Sequence, residues 1–114
     1  MSVAPALLDT NVASFLLMAR PEGALYQSAL QGRRSVVAFQ TAAELLAGAD
    51  MRGWGAQRRR KLAGFFRESP VLYANQETVQ TWAHLRAALS KRGIVLDTAD
   101  LWIAATALTH DMAL

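Results

Sequence analysis

The sequence predicts an α/β fold, a doubly wound parallel sheet with helices packed on both faces in three layers. Three observations carry that expectation. Short apolar runs alternate with longer helical patterns, the runs are continuously apolar, and a helix start follows closely on each. Strands buried on both faces read as unbroken apolar runs, and parallel strands need a crossover element between them.

The elements follow in order. Ala6-Leu7-Leu8 is a short buried strand, and a helix is expected from about Val12 to near Arg20. Pro21 stops it, because the residue before a proline is pushed out of helical backbone. Pro21-Glu22-Gly23 opens a second helix through Leu25 and Ala29, closed by Gly32. Ser35-Val36-Val37-Ala38-Phe39 is β-branched and apolar, hence a strand, and Thr41 begins a helix ending between Gly48 and Gly53. A further helix carries Arg58 to Lys61 and Phe65-Phe66, and Pro70-Val71-Leu72-Tyr73 reads as the third strand. Asn75 caps a helix with Val79, Trp82, Leu85 and Leu89 at helical spacing, Lys91 and Arg92 in its last turn and Gly93 beyond. Asp97 or Thr98 starts a last helix, apolar nearly all round and hence central, and Met112-Ala113-Leu114 resembles the first residues of another strand.

Size and composition narrow the function classes. A chain of 114 residues is expected to form a single domain, residues 1–114, with a core that needs no staples. With no cysteine, disulfides, zinc-thiolate sites and thiol catalysis are excluded. The most apolar stretch, Leu101 to Leu108, is shorter than a membrane span, and the N-terminus lacks the basic region and long apolar run of a secretory signal. A soluble cytoplasmic protein with no membrane partner is the expectation.

The net charge of +3 conceals an uneven distribution. From Arg33 to Arg67 eight basic residues stand against two acids, Glu44 and Asp50, a local balance of +6, which leaves −3 for the rest. A basic stripe beside an acidic pocket suits a polyanion held by its phosphates. Arg58, Arg59, Arg60 and Lys61 are the candidate phosphate contacts, with the solvated face of a helix as the plainer reading.

Three acids carry the chemistry. Asp9, Glu44 and Asp100 each sit where an apolar segment hands over to a polar one, in a chain that is 53% hydrophobic with nine acids in all. A carboxylate close to a core is costly unless a cation or donors compensate it, and a metal would supply that compensation. In a parallel sheet ligands bind beyond the carboxyl ends of the strands, which is where Asp9 and Glu44 fall. Each has a structural explanation as well. Thr41-x-x-Glu44 matches a capping box, Asp9 or Asn11 could cap the first helix, and Asp100 would meet the positive end of its helix while Asp97 caps it.

Leu7-Leu8-Asp9-Thr10-Asn11, Thr41-Ala42-Ala43-Glu44-Leu45-x-x-Gly48 and Asp100-Leu101-Trp102-Ile103-Ala104-Ala105-Thr106-Ala107 resemble, in order and spacing, the successive signatures of the PIN-domain family, specifically the VapC-type toxins of toxin–antitoxin pairs. The resemblance covers nearly the whole chain. It implies a metal-dependent endoribonuclease, usually a homodimer, whose RNA substrate is cut to leave a 5′-phosphate and a 3′-hydroxyl and whose partner is a small antitoxin. It also implies that Asp9, Glu44 and Asp100 are catalytic and ligate Mg²⁺ or Mn²⁺, hard ions that prefer carboxylate and water. Thr10, Asn11 and Thr106 would orient those ligands. Family members continue into a further strand with a Thr-x-Asn or Thr-x-Asp motif and another acid, whereas this sequence stops at Leu114. The expectation is therefore a C-terminally truncated form, or a site built from three acids.

Two other classes compete. One is a catalytically incomplete PIN-like module that binds RNA or an antitoxin without cleaving. The other is a phosphoacceptor receiver, disfavoured because a receiver pairs acids after its first strand and carries a late lysine, whereas the lysines here are Lys61 and Lys91. His84 and His110 read as structural, and Trp54, Trp82 and Trp102 as helix packing.

Overall fold

The computed structural model describes residues 5–18, 21, 23–24, 30 and 32–112. Its elements are β1 (Ala6–Leu8), α1 (Thr10–Leu17), β2 (Ser35–Ala38), α2 (Phe39–Met51), α3 (Ala56–Glu68), β3 (Val71–Leu72), α4 (Gln76–Lys91) and α5 (Thr98–Thr109). The strands form one parallel sheet in the order β1-β2-β3. The register aligns Leu7 with Val36, Leu8 with Val37, and Val37 with Val71.

That register sorts the apolar strand residues into two cores. Because side chains alternate across a strand, Leu8, Val37 and Val71 face one way and Leu7, Val36 and Leu72 the other. On the first face Leu8 and Val37 pack with Ala13 and Leu17 of α1, Leu45 and Ala49 of α2, Trp54, and Leu62 of α3. On the second, Leu7, Val36 and Ala38 pack with Ile103 and Ala107 of α5. The α4 helix lies outside α5, with the Trp82 and Trp102 rings stacked at 5.2 Å. Helices thus cover both faces of the parallel sheet, as the unbroken apolar runs predict.

Several boundaries differ from the sequence reading for definite reasons. The α1 helix begins at Thr10, with Asp9 as its cap, and ends at Leu17. The α2 helix begins at Phe39, directly off β2, so Thr41 lies inside it and the capping box with Glu44 does not form. The third strand pairs only through Val71 and Leu72. The helix expected from Pro21 falls largely outside the described residues, as do Ala113 and Leu114. Met112 belongs to no strand. Its N–H returns to the Ala107 carbonyl at 2.8 Å and its side chain packs on the second core.

Three helices end in the same way. After α2, α4 and α5 the chain turns through a residue of positive φ: Gly53 (63°), Gly93 (72°) and Asp111 (53°). In each case the next N–H returns to the third-last helical carbonyl, Trp54 to Ala49, Ile94 to Leu89 and Met112 to Ala107. This is the Schellman arrangement, which satisfies carbonyls the helix leaves open. Glycine adopts that conformation without penalty, while any Cβ is strained. Gly53→Ala and Gly93→Ala should therefore each lower stability by about 1 kcal/mol, and Asp111→Gly should raise it by up to about 1 kcal/mol. Urea midpoints at constant m-value check both signs.

Candidate functional site

Parallel pairing places the carboxyl ends of β1 and β2 at one edge of the sheet, and Asp9 follows β1 there without an intervening residue. Asp9 is exposed; one carboxylate oxygen accepts from the Val12 N–H at 2.8 Å, capping α1. Its other oxygen makes no contact among the described residues. Glu44 stands on the second turn of α2, half-buried, and accepts from the Gln40 amide at 3.3 Å. With the capping box absent, that weak bond along its own helix is its one hydrogen bond among the described residues.

The two helix starts are tied together by Thr10 and Thr41, whose hydroxyls meet at 3.2 Å. Thr41 is fully buried. Its placement three residues before Glu44 made it look like a cap in the sequence. It instead locks α2 against α1, through the residue next to Asp9 and one turn before Glu44. Asn11 is exposed beside Thr10, and both line a cleft of about 190 Å³ with Glu44.

Asp100 is exposed in the first turn of α5, behind the Asp97 cap that accepts from the Ala99 N–H at 3.0 Å. Two residues on, Trp102 meets Phe39 edge to face at 5.3 Å, which sets the start of α5 beside the start of α2. Asp9 and the start of α2 lie at the carboxyl edge of the sheet, and the ring contact brings the first turns of α5 against the start of α2. Thr106 is buried on α5 and its hydroxyl donates to the Trp102 carbonyl at 2.8 Å, so its proton is used within its own helix. His84 is exposed on α4 and His110 closes α5, both outside this edge.

The donor chemistry suits a hard divalent ion, since Asp9, Glu44 and Asp100 are all carboxylates in no ion pair among the described residues. Their separation does not yet suit one. Among the described residues no three acidic or histidine side chains stand close enough to surround an ion. Asp9 is engaged by the start of α1 through the Val12 N–H, and Glu44 by Gln40 of its own helix.

Against this geometry, the PIN domain family model matches residues 6–114. The chain belongs to the PIN-domain family. It is 31% identical over 110 residues to Ribonuclease VapC1 of Haemophilus influenzae, covering 95% of this chain and 82% of that protein. The structure of VapBC-1 from nontypeable Haemophilus influenzae superposes with a TM-score of 0.75 at 30% identity, over 96% of this chain and 83% of that one. VapBC2 from Rickettsia felis, bound to a DNA fragment from its promoter, has the same fold, with a TM-score of 0.81 at 20% identity over 96% of this chain and 84% of that one.

In this PIN domain the basic run is divided between tasks. Arg58, Arg59, Arg60 and Lys61 are all exposed on α3, but consecutive helical residues point about 100° apart and cannot form a single stripe. Arg59 turns back: its Nε donates to the Trp54 carbonyl at 2.8 Å and its Nη1 meets Asp50 at 3.0 Å. Arg58 lies 5.9 Å over the Trp54 ring. Arg60 and Lys61 make no hydrogen bond or ion pair among the described residues. Trp54, at 8% exposed, is a packing residue, not a stacking platform. No helix among the described residues is long and apolar enough to cross a membrane.

The PIN domain should lose about 1 kcal/mol on Arg59→Ala, the worth of the bond to the Trp54 carbonyl. Arg60→Ala should stay within about 0.5 kcal/mol of the parent. Thermal or urea unfolding of the two variants separates the roles.

Proposed function

We propose that this PIN domain is a metal-dependent endoribonuclease of the VapC toxin type, acting on RNA and held in check by a cognate antitoxin. One observation supports the reading most: parallel pairing of β1 and β2 and the Thr10–Thr41 contact join the helix starts that follow Asp9 and precede Glu44, and Trp102 of the helix that carries Asp100 packs on Phe39 of the same helix start. The kinship with Ribonuclease VapC1 supports the substrate class, and the VapBC structures support an antitoxin partner. A homodimer and a cytoplasmic location are part of the same proposal.

In this reading Asp9, Glu44 and Asp100 hold Mg²⁺ or Mn²⁺, with Thr10 and Asn11 orienting the carboxylates and Thr106 stiffening the helix that carries Asp100. A divalent ion bound there would polarise the phosphodiester and acidify a coordinated water. Within the basic run of α3, Arg60 and Lys61 are free to hold flanking phosphates, while Arg58 and Arg59 contribute charge from fixed positions. The present separation of the three carboxylates favours a second reading, a PIN module that binds RNA or antitoxin without cleaving.

Cleavage of RNA oligonucleotides in Mn²⁺ by the parent chain and by Asp9→Asn decides between them. The expected result is cleavage by the parent, falling at least a hundredfold in the variant; RNA binding with no Asp9-dependent cleavage would establish the second reading. A separate outcome concerns phosphates. Replacing Arg60 and Lys61 by Ala should flatten the salt dependence of RNA affinity by about two units, and an unchanged slope would return them to a solvated face.

A further inference from the structure

The cleft beside Glu44 is more elaborate than ion binding requires. It is lined by Asn11 and Ser14 of α1, by Gly48 and Arg52 at the end of α2, and by the Trp54 side of the first core. At about 190 Å³ it has room for one planar ring system and not for a folded segment. Its apolar wall is fixed, because Trp54 is buried and gripped at its carbonyl by Arg59 and over its ring by Arg58. Its polar side carries an amide, a hydroxyl and a guanidinium. The Arg52 side chain has no hydrogen bond or ion pair among the described residues, although Glu44 lines the same cleft.

Gly48 explains how Arg52 comes to lie there. A Cβ on Gly48 would stand 3.2 Å from Arg52 Nη1, so the guanidinium passes close over the bare backbone there. An interior glycine costs a helix about 1 kcal/mol against alanine. Here the bare backbone lets a charged fork pass beside the cleft.

We propose that this cleft is a guanine subsite, taking a base next to the phosphate that is cut. The inference rests on the ribonuclease reading above. Guanine offers O6 and N7 side by side, two acceptors that a guanidinium meets with paired N–H groups; adenine places a donor at the same edge and the pyrimidines offer no such pair. Asn11 and Ser14 can donate or accept at the remaining edge, and Leu17, Leu45 and the margin of the buried Trp54 make the apolar side of the cleft.

The test uses 5′-GMP, AMP, CMP and UMP titrated into the full chain without divalent metal, followed by the tryptophan indole N–H resonances. All four share the phosphate, so differences report the base. GMP is expected to bind about tenfold more tightly than the others, shifting the indole signal that Trp54→Phe removes. Arg52→Lys, which keeps the charge but not the fork, and Gly48→Ala, which crowds it, should both erase that preference. Equal binding of the four, binding of none, or a preference that survives Arg52→Lys would overturn the subsite. Because no metal or cleavage enters, the nuclease reading stands or falls separately on the Asp9→Asn assay.

Discussion

Because β1 and β2 run in the same direction, both of their carboxyl ends fall on one edge of the sheet, and the proposed metal site depends on that edge. The pairing of Leu7 with Val36 and Leu8 with Val37 also divides the apolar side chains between two cores. One core seats α1 and α2, whose first turns carry Thr10 and Thr41; the other seats α5, whose first turn carries Asp100. An antiparallel pair would send the second helix start to the opposite edge, leaving Asp9 without companions.

The edge is stiffened from behind. Thr10 and Thr41 join the two helix starts, Phe39 and Trp102 join α2 to α5, and the Schellman turn after α2 delivers Trp54 into the first core. Arg59 then fastens the start of α3 to that turn. Against this frame the carboxylates differ: Asp9 is exposed but caps α1 through the Val12 N–H, Asp100 is exposed, and Glu44 has one long hydrogen bond among the described residues. A rigid frame suits a site whose like charges come together only around a cation.

Much of this was legible in the letters. The strands follow from short β-branched and apolar runs, and the caps at Asn75, Asp97 and Gly93 follow from residues with single strong preferences. The start of α2 was not legible, because the chain passes from β2 straight into a helix whose N-cap, Ala38, offers no side chain to betray it. The split of the basic run was hidden as well, since the Trp54 carbonyl that captures Arg59 is a tertiary neighbour. Topology puts Asp9 and the start of α2 at one edge, but the partners that the Asp9 and Glu44 carboxylates take, the Val12 N–H and Gln40, follow from local geometry that the sequence pattern leaves open. Gly48 was visible only as part of a motif; the close pass of Arg52 over it required the structure.

The central claim is that Asp9, Glu44 and Asp100 close around one divalent ion. Titrating Mn²⁺ into isotope-labelled chain and following paramagnetic broadening of the backbone amides tests it without any reaction. The account predicts that the amides around residues 9, 44 and 100 broaden together at the same Mn²⁺ concentration, and that Asp100→Asn weakens the effect at all three. Broadening confined to one of these segments, or centred on another part of the surface, would contradict it.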